Sequence, residues 1–124
     1  MGNESILIAD DSVTVLSMVS ARFERSGYDV LSASDGEEAL RLAREHRPRL
    51  AILDLEMPGI DGLRLTRELR ADPELGGMRI VLLTAHTDDA QVAAGFAAGV
   101  DDYITKPFSP QQLQQRIEQL LGLR

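Results

Sequence analysis

Five polar residues close short apolar runs in this chain. Asp10 and Asp11 follow SILIA, Asp54 ends LAILD within LAILDLEMPGIDG, Thr84 follows RIVLL, and Lys106 follows DYIT. A carboxylate ending a run such as Leu50, Ala51, Ile52 and Leu53 is costly to bury unless something pairs with it. Three carboxylates brought to one place repel one another unless a cation sits among them. An all-oxygen donor set without His or Cys favours Mg2+ or a similar hard ion. A lysine and a hydroxyl beside it supply a point charge and a donor suited to phosphoryl oxygens. The chemistry that fits is attack of a carboxylate on phosphorus to give an aspartyl phosphate, a transfer that needs mainly alignment and charge neutralisation. Each residue alone has a plainer use. Asp10 and Asp11 compete with Ser12 as helix caps, Asp54 serves as a strand-end carboxylate, Thr84 is an ordinary β-branched strand residue, and Lys106 is a solvated edge charge.

What must position these residues is legible in the alternation of segments. Strand-like runs fall at 5–10, 28–33, 50–55, 79–85 and 102–106, three of them almost continuously apolar, as parallel strands covered on both faces are. Helical spacing lies between them: Val15, Val19 and Phe23 step by four, as do Leu65 and Leu69, and Leu113, Ile117, Leu120 and Leu121 form a last stripe. Gly27 ends the first helix, Gly36 opens the second, Pro48 follows it, Gly76-Gly77 precedes the fourth strand, and Ser109-Pro110 starts the fifth helix. Five strands each followed by a helix predict one doubly wound α/β domain over residues 1–124. No output domain is expected within it, because the last helix runs almost to Arg124. In such sheets the working site lies outside the carboxyl ends of the strands, where the five polar residues fall.

Composition narrows the partners. Thirteen basic against twenty acidic residues leave a net charge of −7, which argues against the domain itself gripping nucleic acid or an anionic membrane. With no cysteine there are no disulfides or thiolate metal sites, in keeping with a reducing, cytoplasmic location. No secretory signal is visible, and no apolar run approaches the roughly 20 residues that span a bilayer.

Taken in order, the acidic pair of IADDS, the D-x-x-M-P-G-x-D-G run at Asp54, the T-A of LLTAH and the K-P of ITKPF resemble the receiver domain of two-component response regulators over essentially the whole chain. Each element alone is weak; four in order at strand ends are specific. The resemblance implies a flavodoxin-like (βα)5 fold with a five-stranded parallel sheet in the order 2-1-3-4-5. It implies Asp54 as phosphoacceptor, and Mg2+ held by Asp11, Asp54 and the Glu56 carbonyl, with Asp10 acting through water. Thr84 and Lys106 would contact phosphoryl oxygens, Lys106-Pro107 would be a cis peptide, and Tyr103 would be the switch aromatic that turns inward as Thr84 moves. From its residue type alone, Tyr103 is equally a half-buried strand aromatic. The implied partners are a sensor histidine kinase or histidine phosphotransfer protein, and a downstream protein met by the fourth helix, fifth strand and fifth helix.

Glu56 and His86, two residues beyond Asp54 and Thr84, border the path of attacking water in this family and are expected to tune phosphoryl lifetime. The fourth helix, near 88–99, carries Gly95, which costs about 1 kcal/mol relative to alanine, and its small side chains predict a loosely held, switchable element. On the same face Asp102 and Arg116 offer a charge pair of the kind that links receiver dimers. The fourth helix contains no Lys or Arg, so a monomer or a weak phosphorylation-dependent dimer is expected. The receiver is expected to turn over no external metabolite. The competing functions are a Mg2+-dependent phosphatase acting through an aspartyl phosphate, a flavodoxin-like cofactor binder, and an interaction module that is never phosphorylated. The phosphatase wants an acid Asp where Glu56 stands, and the cofactor binder wants glycines where ADDSVTV has acids.

Overall fold

The computed structural model describes residues 5–85 and 88–122. Its elements run β1 (Ser5–Ala9), α1 (Val13–Arg25), β2 (Asp29–Ala33), α2 (Gly36–His46), β3 (Leu50–Asp54), α3 (Gly62–Ala71), a 3-10 turn at Pro73–Leu75, β4 (Arg79–Thr84), α4 (Asp89–Ala98), β5 (Asp102–Thr105) and α5 (Pro110–Leu120). All neighbouring strands pair in parallel, in the order β2-β1-β3-β4-β5. This is the doubly wound α/β domain that the alternation of segments predicts, with the flavodoxin-like strand order that the receiver resemblance implies. Among the described residues no helix is long and apolar enough to cross a membrane.

The three continuously apolar strands are the central ones, because both of their faces are covered. Leu7, Ala9, Ala51, Leu53, Ile80 and Leu82 pack with α2 and α3 residues such as Ala39, Ala43, Leu65 and Leu69. The alternate set Ile6, Ile8, Leu50, Ile52, Val81 and Leu83 packs with Val19 and Phe23 of α1 and Leu113 and Ile117 of α5. This period of two divides one apolar run between two cores. β2 and β5 lie at the edges and are only partly buried.

Every helix starts on a side-chain cap from Ser or Asp, as the orphan amides of a first turn require. Ser12, Asp35, Asp61, Asp88 and Ser109 accept from Val15, Glu38, Arg64, Gln91 and Gln112. β1, β3, β4 and β5 each stop one residue before the predicted run does, and β2 ends where its run ends. The 3-10 turn, capped by Asp72 with Pro73 at its start, is an addition to the five predicted helices, and Asp-Pro marks it.

Gly95 has a packing reason that its sequence position does not reveal. It is the one buried residue of α4, and a Cβ there would lie 3.2 Å from the ring of Tyr103. The glycine makes room for the aromatic, so α4 is anchored through that contact and little else of its own is buried.

Candidate functional site

The carboxyl rim of the sheet collects the residues singled out above. Asp54 is the final residue of β3 and is 5% exposed; Asp10, just past β1, is fully buried. Asp11 beside it is exposed. One carboxylate oxygen from each of Asp10, Asp11 and Asp54 lies within 4.8 Å of the others, close enough for one cation to touch all three. The helix-cap alternative is settled by Ser12, whose Oγ accepts the Val15 N–H at 3.3 Å, while Asp10 Oδ1 accepts the Ser12 N–H at 2.9 Å. Asp10 therefore braces the turn into α1 with one oxygen and leaves the other for the site.

Lys106 is no solvated edge charge. Its Nζ stands 3.1 Å from Asp10 Oδ2 and 3.2 Å from Asp54 Oδ1, and its backbone N–H donates to the Thr84 carbonyl at 2.7 Å. That bond extends the β4–β5 pairing by one residue and aims the ammonium into the acid cluster. The Lys106-Pro107 peptide is cis. Thr84, at the end of β4, is 1% exposed. The Glu56 side chain is exposed and its N–H donates to Asp54 Oδ1 at 3.4 Å. Tyr103 is half-buried on β5 against Gly95. Arg116 and Asp102 form a bidentate pair within the chain, at 2.6 and 2.9 Å. His86 lies outside the described residues.

The electrostatics follow from this crowding. Burial, and then the negative charge of Asp10, raise the Asp54 carboxyl to about 6, against the lowering effects of Lys106 and of the Glu56 N–H. Burial by itself would lower the Lys106 ammonium, but its bonds to Asp10 and the charges of Asp10 and Asp54 outweigh this and raise it. A hard divalent cation would relieve the carboxylate repulsion directly. The donor set, three carboxylates with no sulfur or imidazole, fits Mg2+ and the waters it retains. Lys106→Met is expected to leave the buried Asp10 charge unpaired and to lower stability by about 2 kcal/mol at pH 7. Chemical denaturation at pH 7 with and without the substitution measures it.

Two glycines hold the loop after β3 in place for a reason that only packing reveals. A Cβ on Gly62 would lie 2.5 Å from the Asp54 carbonyl oxygen, and one on Gly36 would fall on the Ile60 carbonyl. The loop that follows β3 is thus clamped by two helix starts that tolerate no side chain. Lys106 is also the only lysine among the thirteen basic residues. Beside it, Val15, Met18, Ala85, Pro107 and Phe108 line an apolar groove of about 360 Å3.

Five parallel strands with three carboxylates, a threonine and a lysine at their carboxyl rim define a class, the receiver of a response regulator. A family model described as the response regulator receiver domain matches residues 6–118, and the chain belongs to that family. It is 40% identical over 119 residues to the alkaline phosphatase synthesis transcriptional regulatory protein PhoP of Bacillus subtilis (strain 168), covering 96% of this chain and 49% of that relative. It is 42% identical over 114 residues to the DNA-binding response regulator MtrA of Mycobacterium tuberculosis (strain CDC 1551 / Oshkosh), covering 92% and 49%. Among solved structures, a putative response regulator from Chloroflexus aurantiacus J-10-fl superposes with a TM-score of 0.90 at 39% identity, covering 97% of this chain and 98% of that one. The receiver domain of a sensor histidine kinase from Pseudomonas aeruginosa PAO1, with a magnesium ion coordinated in its active site cleft, gives 0.88 at 30% identity, covering 98% and 99%. The chain spans about half the length of the curated relatives it matches.

Proposed function

We propose that this receiver, a cytoplasmic domain occupying residues 1–124, accepts a phosphoryl group on Asp54 from a sensor histidine kinase or histidine phosphotransfer protein. The observation that carries the reading is the placement of Lys106 between Asp10 and Asp54, with a cluster of carboxylates open to a cation on the other side. An Asp54 oxygen attacks the phosphorus of a phosphoimidazole as the phosphorus–nitrogen bond breaks. The imidazole nitrogen keeps that electron pair and takes up a proton. Lys106 and the Thr84 hydroxyl face the phosphoryl oxygens, and Asp10, Asp11, Asp54 and the Glu56 carbonyl would hold Mg2+. When bound, the ion neutralises the negative charge that phosphorus brings into the cluster. The apolar surface beside Lys106 suits an apolar helix of the donor.

The later hydrolysis returns Asp54 and inorganic phosphate, so the domain catalyses only its own modification. Occupation of the site draws Thr84 and then Tyr103, and the α4-β5-α5 face alters for a downstream protein. With the Asp102–Arg116 pair satisfied internally, that face favours a monomer or a weak dimer formed on phosphorylation.

Incubation with acetyl phosphate and Mg2+ should add one phosphoryl mass, mapping to the peptide that contains Asp54. Chelation by EDTA should prevent it. An adduct on any other residue defeats the assignment. Glu56→Asn and His86→Ala are each expected to alter the dephosphorylation rate several-fold, followed by loss of that mass over time; two unchanged rates would remove both residues from the water path.

A further inference from the structure

Arg70 lies in the last turn of α3, yet its side chain serves a different helix. Nε donates to the Gly99 carbonyl at 2.8 Å, Nη1 donates to the Met78 carbonyl, and Nη2 lies 2.8 Å from Asp101 Oδ2. Gly99 caps α4 at φ 114, and a Cβ there would come 2.9 Å from Arg70 Cγ. Asp101 is itself laced to β4: Oδ2 accepts the Ile80 N–H at 2.8 Å, its own N–H donates to the Ile80 carbonyl at 2.7 Å, and Arg79 Nη1 stands 3.5 Å from Oδ1. The Arg70 and Asp101 side chains are 23% and 22% exposed, so this charged fork works largely out of water, where such bonds are strong.

The opposite end of α3 meets the acceptor. The Gly62 N–H donates to the Leu55 carbonyl at 2.9 Å, against the Asp54 peptide. Between the two ends, Leu65, Thr66 and Leu69 are buried, so α3 is a firmly seated bar. α4 contrasts with it, having only Gly95 buried and the Asp88 cap at its start. One end of α4 is bolted down while the rest is lightly held.

We propose that Arg70 is a positioning residue of the phosphorylation switch, fixing the C-terminal end of α4 as the pivot about which the rest of that helix rearranges. The inference rests on the reading of Asp54 as acceptor and α4 as the moving element. A fixed end converts a shift near Thr84 into a directed tilt; a free end would let α4 fray instead.

The test follows amide exchange over residues 89–100 with and without acetyl phosphate and Mg2+, while mass measures phosphoryl incorporation separately. Arg70→Met keeps the apolar stem over Gly99 and removes the three donors. It is expected to be phosphorylated normally, but exchange at Gly99 and Val100 should rise roughly tenfold before phosphorylation, and the phosphorylation-dependent difference across α4 should collapse. Asp101→Asn, which leaves an acceptor for Ile80, is expected to show the same loss to a smaller degree and supplies the readout if the Met variant does not fold. Ile117→Val, in the core on the other side of the sheet, controls for a general loss of stability and should keep the wild-type response. A wild-type α4 response in either latch variant, with normal incorporation, overturns the inference alone. No α4 response in the unsubstituted chain, despite full incorporation, overturns the switch reading and the pivot together.

Discussion

Asp54→Asn is expected to abolish phosphoryl incorporation and, in the metal-free protein, to raise the unfolding free energy near pH 7.5 by about 2 kcal/mol. The gain arises because Asp54 is charged in a place that disfavours charge. Burial and Asp10 lift its carboxyl from 3.8 in the unfolded chain to about 6 in the folded one. A group whose folded value is raised contributes stability that is complete below pH 3.8 and is lost as pH rises through about 6. Above that range the wild-type chain bears the full cost of an ionised Asp54. Asparagine never bears it, and its carbonyl oxygen still accepts from Lys106 and from the Glu56 N–H. The difference between the two proteins should therefore vanish below pH 3.8 and be largest above pH 7, as urea titrations across that range would measure. Saturating Mg2+ should stabilise the wild type far more than the variant, because a cation favours the charged carboxylate. An Asn variant that is less stable than wild type at pH 7.5 would mean that the Lys106 bond outweighs burial.

Gly36→Ala is expected to be the most damaging single-methyl change, lowering stability by about 3 kcal/mol despite alanine's better helix propensity. The added carbon would fall on the backbone carbonyl of Ile60, and a carbonyl fixed in a loop cannot swing aside as a flexible side chain would. Relief requires α2 to lift from the loop between Asp54 and α3. The substitution should therefore slow phosphorylation as well as lower the thermal midpoint, which calorimetry and the rate of phosphoryl incorporation would show together. Gly27→Ala gives the contrast. Its Cβ would meet nothing within 4 Å, so the cost there is limited to the strain of a φ of 94.

Much of the architecture is written in short stretches of the chain. Alternating apolar runs and helical stripes encode five strands and five helices, since each pattern is complete within one element. The strand ends bring Asp10, Asp11, Asp54, Thr84 and Lys106 to one rim because parallel strands all finish on the same side. Caps are local too: Ser109-Pro110 and Asp88 act within three residues. By itself, then, the sequence determined the fold, the rim and the chemical types gathered there.

Contacts between distant segments were decided by packing. Lys106 reaches Asp10 across 96 positions of chain, and nothing near Lys106 distinguishes a bridging ammonium from a solvated one. Gly95 reads as a weak point in α4 until the Tyr103 ring is found above it. Asp101 and Asp102 are adjacent and chemically identical, yet one is held by Arg70 from α3 and the other by Arg116 from α5. Side chains alternate across a strand, so neighbours in sequence face opposite layers, and which cation each finds depends on the helices covering those layers. That choice exists only once the sheet has closed between its two helical faces.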